Sequence, residues 1–368
     1  MVMNLLNKKI INFGDKFFGL DLSDISLKVL QLEKEGNSFK IRNFASEKIP
    51  EGIIENGSII KKDQLATIIK KSLTKVNPKK INTRKVVCSL PESKAFLRII
   101  SIPKMKKEEA GEAVKWEIEA SIPLSIDQVY FDWQFIGEEN EEGDETKNKK
   151  QSVLTVAVSK EIVDQLMEVF KEAKLDVYAL ELESISTVRS LINQKTASKE
   201  TSLIIDLGAK RTSFIIVEKG IPYFTSSIPF SSENLTDVIA KYLNVNQEEA
   251  EKIKLNRGIS QTEADPQIFK AVEPLLNNLV MEIEKTIDFY MSMGKDNSEI
   301  KRIILCGGGA NLSGLLPYLV KKLSKDIEEG DPWTNLNLGN NLPPISKKNA
   351  SSYATVVGLA MREIDYAD

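Results

Sequence analysis

Two acidic turns carry the residues best suited to chemistry in this chain. Asp21 ends an apolar run in FFGLDLSDISLK, and the second apolar run that follows it contains Lys28. Asp206 takes the same position in LIIDLGAKRTSF. A strand, an acidic turn and a second strand form a hairpin that could hold a phosphate and a metal ion, because carboxylates bind hard cations and turn N–H groups bind anions.

The two turns differ in glycine content. A turn that holds phosphate usually contains glycine, since its backbone must approach the ligand closely and often needs a positive φ. Gly208 follows Asp206, whereas Ser23, Asp24 and Ser26 follow Asp21. The residues alone leave two interpretations open: a nucleotide site that has drifted, and a pair of structural hairpins that bind no ligand.

A third candidate element is the glycine-rich stretch RIILCGGGANLSGL. A buried strand leads into Gly307, Gly308 and Gly309, and a helix is predicted to begin near 311–313. A phosphate, ribose or base can approach such a backbone and meet the free N–H groups of a helix N-terminus. Strand, glycine and helix junctions also occur for close packing alone.

The composition excludes several classes of function. The 368 residues include no histidine, which removes the commonest general base, the Ser-His and Cys-His pairs and most zinc sites. Lys and Arg total 50 against 53 Asp and Glu, with no basic stripe, so nucleic acid is not an expected partner. Cys88 and Cys306 lie in apolar runs and are predicted to be buried thiols in a reducing cytosol.

We assign no function to the N-terminal segment or to the polar run 138–151. No stretch reaches the ~18 to 20 apolar residues of a membrane helix. The N-terminal segment has apolar residues at helical spacing, which fits a surface-bound helix, but a frayed terminus is the favoured interpretation. These residues are Val2, Leu6, Ile10 and Phe13. The polar run 138–151 is predicted to be a solvated hairpin loop.

The order of apolar patterns indicates a duplicated mixed α/β protein. Three strands, a helix and a strand open the chain, and a strand, helix, strand, strand and helix follow up to about residue 175. The segment 201–230 then repeats the opening meander, with Asp206 aligned to Asp21 and Gly208 aligned to Ser23. Two such lobes would place their acidic hairpins face to face across a cleft.

The combined motifs resemble the five-motif pattern of the actin and Hsp70 ATPase fold. The resemblance implies a two-lobe ATPase that binds ATP and Mg²⁺. FGLDLSDISLK resembles the first phosphate motif, so Asp21 would hold a water on Mg²⁺ and Lys28 would reach the β-phosphate, with Ser23 and Ser26 in the phosphate turn. IIDLGAKRTSF resembles the second, with Asp206 toward the metal.

Three further segments resemble the remaining motifs of the actin and Hsp70 ATPase fold. LELESISTVRSL resembles the first connecting helix, with Glu183 at the acidic position that orients water. ILCGGGANLSGL resembles the adenosine motif through Gly307, Gly308 and Gly309, and Gly208 would lie close to the phosphates. SYATVVGLAMR resembles the second connecting helix, with Gly358 at its close crossing.

Within that superfamily, nearly the whole chain resembles the PilM family of actin-like type IV pilus assembly proteins, which is related to FtsA. PEGIIENGSIIKKDQL, the run 98–133 and DPWTNL carry this resemblance. It implies an FtsA/PilM-type subdomain, called 1C, within the first lobe. The implied bounds are an N-terminal extension at 1–16, first-lobe 1A at 17–95, 1C at 96–178, a 1A connecting helix at 179–200, second-lobe 2A at 201–225, 2B at 226–299, 2A at 300–345 and a C-terminal 1A connecting helix at 346–368.

The first turn departs from the family pattern of a glycine followed by serines. A carboxylate at Asp24 would face the polyphosphate, which is unfavourable unless a cation intervenes. Lys210 and Arg211, on the opposing hairpin, are expected to offset it. Glu251 and Lys254 lie where this fold usually contacts ribose and base, although a solvated helix face also accounts for them.

The resemblance implies a cytoplasmic ATP-binding scaffold, peripheral to the inner membrane, whose 1C docks the cytoplasmic N-terminal tail of a PilN-like bitopic protein. Trp116, Val114 and Ile118 are expected to supply apolar surface there, and Phe131, Trp133 and Phe135 are either anchors or the core of 1C. The chain is expected to be at most a slow ATPase and could form homo-oligomers. The alternatives are an FtsA-like polymerising protein, disfavoured by the acidic ending MREIDYAD, and a sugar or acetate kinase, for which no catalytic acid is found.

Overall fold

The computed structural model describes residues 17–139, 150–196, 200–259, 266–293, 299–341 and 343–363. The apolar N-terminal residues at 2–13, most of the polar run 138–151 and the end of the MREIDYAD segment lie outside these ranges. Among the helices within them, none combines the length and the apolarity needed to cross a membrane.

The first half of the chain contains eleven strands and four helices in its described part. In chain order these are β1 Phe18–Leu22, β2 Ser26–Glu35, β3 Ser38–Lys48, β4 Ile54–Glu55, β5 Ser58–Ile59, α1 Lys62–Thr74, β6 Asn77–Pro78, β7 Lys85–Leu90, β8 Ala95–Pro103, α2 Lys107–Ser121, β9 Val129–Glu139, β10 Lys150–Ser159, α3 Lys160–Glu172, β11 Asp176–Leu182 and α4 Glu183–Leu191.

The second half continues with the repeated meander. Its elements are β12 Thr201–Leu207, β13 Thr212–Glu218, β14 Ile221–Ile228, α5 Ser232–Leu243, α6 Gln247–Arg257, α7 Pro266–Ser292, β15 Ile300–Cys306, α8 Leu315–Leu323, β16 Asp326–Glu329, α9 Lys347–Ala350 and α10 Ala354–Ala360.

The two main sheets have the same topology, which confirms the predicted duplication. The first has the order β11-β7-β1-β2-β3-β6, and the second β14-β13-β12-β15-β16. In each sheet, the first three strands form an antiparallel meander, β1-β2-β3 and β12-β13-β14. Two further strands extend the sheet in parallel from its first strand: β7 and then β11 in the first sheet, and β15 and then β16 in the second. Asp21 pairs with Lys28 across the first hairpin, and Asp206 pairs with Ser213 across the second.

A third sheet, β8-β10-β9, forms the inserted subdomain with α2 on its face. Val114 and Ile118 are completely buried in its core, so they do not supply the outer surface that was expected of them. Phe131, Trp133 and Phe135 also pack against that core, whereas 69% of Trp116 is exposed.

Helix α3, which the family resemblance implied to be part of 1C, contacts β9 and β10 of the third sheet as well as α1, β5 and β11 of the first lobe. Its buried face includes Ile162, Leu166 and Phe170, which join the cluster containing Phe18 and Leu20. The expected boundary at 178 falls inside β11, and the boundary at 225 falls inside β14.

The two cysteines are free and buried, as predicted. The loop 50–63 contains a short hairpin, β4-β5, that the sequence analysis did not predict. The glycine stretch also differs from expectation. Residues 308–311 form a 3-10 turn and α8 begins only at Leu315, because Gly314, in a left-handed conformation, precedes it.

Helices α4 and α10 cross at the base of the cleft between the two lobes. Along α4, Ser184, Ser186, Thr187 and Ser190 are completely buried, and these small side chains allow a close approach. The Thr187 and Thr355 hydroxyls lie 3.1 Å apart across the crossing. Gly358 fits against Ser186, as the motif predicted.

Candidate functional site

A cavity of about 370 Å³ lies where the two acidic turns, the glycine turn and the start of α4 converge. Strand ends position its polar residues, because β1, β7, β12 and β15 all finish at this edge of their sheets. Ten of the predicted site residues line it: Asp21, Ser23, Ser26, Lys28, Glu183, Asp206, Gly208, Lys210, Gly307 and Gly308.

Four predicted site residues do not line the cavity. Gly309 packs against Leu207 of β12, and Gly358 packs against α4, so both serve the fold around the cleft. Lys254 is 2% exposed, and its Nζ donates to Ser232 and Thr236 at the start of α5 while pairing with Glu251. Lys254 and Glu251 thus bind one another and residues of α5.

The first turn closes without glycine because serine side chains complete it. The Ser23 N–H donates to Ser26 O at 2.9 Å, and the Ser26 N–H donates to the Ser23 hydroxyl at 3.1 Å. The Ser23 backbone is outside the left-handed region. Asp21, at the end of β1, accepts a hydrogen bond from Ser89 at 3.0 Å and lies 3.9 Å from Lys28.

Asp24 hydrogen-bonds with backbone partners and not with the cations expected to offset it. Its carboxylate accepts from the N–H groups of Asn56 and Gly57 in the β4-β5 turn. Lys210 forms an ion pair with Glu233, and Arg211 donates to Ser227. Burial acts to lower the pKa of Lys210, but Glu233, and to a smaller extent Glu51 and Asp24, raise it above its ordinary value, so Lys210 offsets the Asp24 charge without forming an ion pair with it.

The second turn and the glycine stretch are shaped by close approaches. A Cβ on Gly208 would lie 2.6 Å from Arg211 O, so the turn accommodates only glycine without shifting. Gly307 has φ +82°, and a Cβ there would lie 2.3 Å from Asp206 Oδ1. The missing side chain leaves the Asp206 carboxylate room at the cavity wall.

Two carboxyl groups of the cleft, those of Asp206 and Glu183, have raised pKa values. Burial and the nearby Asp21 charge raise the pKa of Asp206 to about 6. Burial, followed by the charges of Asp21 and Asp206, raises the pKa of Glu183 well above its ordinary value. A bound cation would favour the ionised forms, so the cleft is prepared for positive charge.

Glu92 is a cleft residue that sequence reasoning missed. It follows β7 in a short 3-10 turn, is 6% exposed and lines the cavity. Its N–H donates to Glu183 Oε2 at 3.3 Å, and its own Oε2 accepts from the Ser184 N–H at 3.2 Å. Burial raises the pKa of Glu92. Its only signal was a charged residue directly after an apolar strand, in SLPES.

The donor set fits a magnesium nucleotide better than a directly bound structural metal. In the described ranges, no three Asp, Glu, Cys or His side chains converge as a metal site. Magnesium usually keeps several waters and takes one or two carboxylates plus phosphate oxygens. Asp21 and Asp206, with the room left by Gly307, match that requirement.

Part of the cavity wall is apolar. Ile54 and Ile59 come from the β4-β5 hairpin, and Ile162 and Leu166 from α3. The cavity therefore connects the two acidic turns with the border between the first lobe and the inserted subdomain.

The chain is similar to known proteins in both sequence and fold. The family model described as "Type IV pilus assembly protein PilM" matches residues 19–364. A solved "PilM-PilN type IV pilus biogenesis complex" is similar with a TM-score of 0.80 and 24% identity, covering 95% of this chain and 99% of that chain. MreB 5 of Spiroplasma citri bound to AMPPNP is similar with a TM-score of 0.54 and 13% identity, covering 95% and 96%.

A third similar structure is the ethanolamine utilization protein EutJ from Carboxydothermus hydrogenoformans, with a TM-score of 0.57, 13% identity and coverage of 98% and 92%. These similarities confirm the predicted actin-like fold. Because the family model spans nearly the whole chain, the protein belongs to the PilM family of type IV pilus assembly proteins.

Proposed function

We propose that this chain is an ATP-binding scaffold of type IV pilus assembly. The observation that carries the proposal is the cavity between two duplicated acidic turns, with Gly307 leaving room for Asp206. Asp21 and Asp206 would hold a magnesium ion through water, and Lys28 would reach a phosphate. The magnesium ion would neutralise phosphate charge and orient the nucleotide.

Hydrolysis by this site is expected to be slow. Glu183 is the residue proposed to orient water, and burial, followed by the charges of Asp21 and Asp206, raises its pKa, which favours the protonated form. A protonated carboxyl cannot accept a proton from water. We therefore expect turnover far below the roughly 1 to 100 s⁻¹ of kinases.

Thermal unfolding with and without millimolar Mg-ATP tests the nucleotide proposal. Binding should raise the midpoint of the wild type, since a ligand that binds only the folded state stabilises it. Asp21→Ala should reduce the shift, because a carboxylate beside the metal is lost. Asp288→Ala, in the half of α7 remote from the cavity lining, is the matched control and should shift like the wild type.

We also propose that the border between the first lobe and 1C docks the cytoplasmic tail of a PilN-like inner-membrane protein. The similar solved structure is a PilM-PilN complex, and the apolar part of the cavity wall lies at this border. Ile60 and Trp116 are 54% and 69% exposed in the same half of the chain. An extended peptide would gain main-chain hydrogen bonds and one or two apolar pockets. This docking would hold the protein in the cytoplasm at the inner membrane.

Co-purification with the PilN-like inner-membrane protein tests the docking proposal. Ile60→Asp should weaken capture at least tenfold, because it places a charge on an exposed apolar residue adjacent to Ile59, which lines the apolar part of the cavity. Leu255→Asp, at a site 60% exposed on α6 of the second lobe, is the matched control and should capture the partner normally. If both variants lose capture equally, or if neither loses it, the docking site does not lie at this border.

A further inference from the structure

Asp24 holds the tip of the β4-β5 hairpin against the first acidic turn. Its Oδ1 accepts from the Gly57 N–H at 2.8 Å, and its Oδ2 accepts from the Asn56 N–H at 3.1 Å. Both turn residues are left-handed, with φ of 50° at Asn56 and 74° at Gly57. Two successive residues in this conformation point their N–H groups to one side and form a small anion-binding concavity.

The hairpin is also tied to the rest of the first lobe. Ile53 O accepts from the Ile60 and Lys61 N–H groups, and Gly57 lies so close to Pro91 that a Cβ would come within 3.0 Å of it. Strand β5 contacts α3. Directly after the hairpin, Lys62 Nζ lies 2.5 Å from Glu168 of α3. A displacement of the hairpin tip therefore reaches α3 through packed contacts.

The hairpin tip and α3, which these contacts join, both line the cavity. Asp24 and Gly57 line it beside Ser23 and Ser26. Ile59 and Leu166 line its apolar part. The Asp24 hydrogen bonds thus stand between the place where phosphates would lie and the border where a peptide would dock.

We infer that Asp24 couples nucleotide binding to the docking border, by tightening its hold on the Asn56 and Gly57 amides when phosphates occupy the cleft. This inference rests on the proposed nucleotide and docking functions. Polyphosphate places negative charge beside Asp24 and drives its carboxylate toward other donors. Lys210 forms an ion pair with Glu233 and Arg211 donates to Ser227, whereas the Asn56 and Gly57 N–H groups already donate to Asp24.

The direction of the effect follows from the strength of these bonds. Hydrogen bonds from backbone N–H to a carboxylate are stronger than neutral ones and fix the donor segment. A firmly held hairpin would give the apolar border one defined shape, which lowers the ordering cost for a peptide that binds there. Nucleotide should then favour the tail, and the tail should favour nucleotide by the same factor.

Hydrogen–deuterium exchange of the full chain, with and without Mg-AMPPNP, tests this. Without nucleotide, Asp24→Asn should raise exchange in peptides covering 54–59 at least tenfold, since the charged acceptor is lost. Glu55→Gln, an exposed change on the same hairpin, is the matched control and should leave it unchanged. With Mg-AMPPNP, the wild type should exchange at least threefold more slowly at 54–59 and 160–172, and Asp24→Asn should not.

Calorimetry on the same proteins distinguishes a failure of the coupling inference from a failure of the nucleotide proposal. If Mg-AMPPNP binds the wild type but exchange at 54–59 and 160–172 does not fall, the coupling inference is overturned and the nucleotide proposal stands. An equal fall in Asp24→Asn would also overturn it, because the change would then bypass Asp24. If calorimetry detects no binding, the proposed nucleotide function fails, and the coupling fails with it.

Discussion

Gly358 of α10 lies directly against Ser186 of α4, so that a Cβ on Gly358 would be 1.8 Å from Ser186 O. Contact at that distance cannot be relieved by a side-chain rotation, since the obstacle is backbone. Gly358→Ala should therefore lower the free energy of unfolding by about 3 kcal/mol or more, measured by urea denaturation. The helix propensity gained from alanine, about 1 kcal/mol, is too small to compensate.

Gly111→Ala is the matched control for that variant. Gly111 lies within α2, has no positive φ, and a Cβ there would meet nothing within 4 Å. The same substitution should stabilise by about 0.5 to 1 kcal/mol. Similar effects at both positions would show that the α4-α10 contact is not as close as described.

Asp206→Asn should stabilise the unliganded protein at pH 7.5. The pKa of Asp206 is about 6 in the folded protein against 3.8 as the ordinary value. Stability from this carboxyl is therefore fully present below pH 3.8 and is lost as the pH rises through 6, a loss of about 2 to 3 kcal/mol. Urea denaturation without magnesium should show the gain at pH 7.5 and little difference at pH 3.5. A destabilised variant at pH 7.5 would contradict this electrostatic description.

Glu181→Ala should cost about 3 to 5 kcal/mol of stability, because it removes a buried carboxylate that two partly buried guanidinium groups share. Glu181 is 1% exposed, accepts from Arg189 Nη1 at 2.8 Å and lies 3.1 Å from Arg362. Burial acts to raise its pKa, but the two arginines hold that pKa below its ordinary value. This stability is present above pH 4.5 and falls as the pH drops through the lowered pKa.

Glu248→Ala provides the comparison for Glu181→Ala. Glu248 pairs with Lys252 at 2.7 Å on the solvent side of α6. An exposed pair of this kind contributes little, so the denaturation midpoint should stay unchanged. If both variants behaved alike, the buried charge cluster would have no special role at the α4-α10 crossing.

Ser23→Gly should not restore nucleotide affinity, although family resemblance favours a glycine in the first turn. The Ser23 hydroxyl lies 2.9 Å from that of Ser26 and accepts the Ser26 N–H. Glycine would remove these bonds and loosen the turn, so we expect Mg-ATP affinity to fall by about threefold to tenfold. A gain in affinity in competition titrations would show instead that the Ser23 side chain obstructs the phosphates.

The sequence was sufficient to predict the fold because duplication leaves a repeated local pattern. Two apolar strands flanking an aspartate appear in both halves, and the sheets reproduce that symmetry down to the pairing of Asp21 and Asp206 with their hairpin partners. The close crossing at Gly358 was implied by the resemblance of SYATVVGLAMR to the second connecting helix of the actin-like fold.

The missed features depend on contacts between residues distant in sequence. Glu92 meets Ser184, and Asp24 meets Gly57, across 92 and 33 positions. No local pattern reports such pairs. Lys254 was placed near the ribose by the family resemblance alone, and no local pattern reported that its buried ammonium group donates to Ser232. The 3-10 turn at 308–311 likewise arises from tertiary packing against Leu207.

Calorimetric titration of Mg-ATP into the purified wild type at pH 7.5 tests the central claim most directly. The account predicts saturable binding at one site per chain, which Asp206→Ala weakens at least tenfold and Asp288→Ala leaves unchanged. It is contradicted if millimolar Mg-ATP gives no binding heat and no thermal stabilisation, since the two acidic turns would then be structural hairpins only.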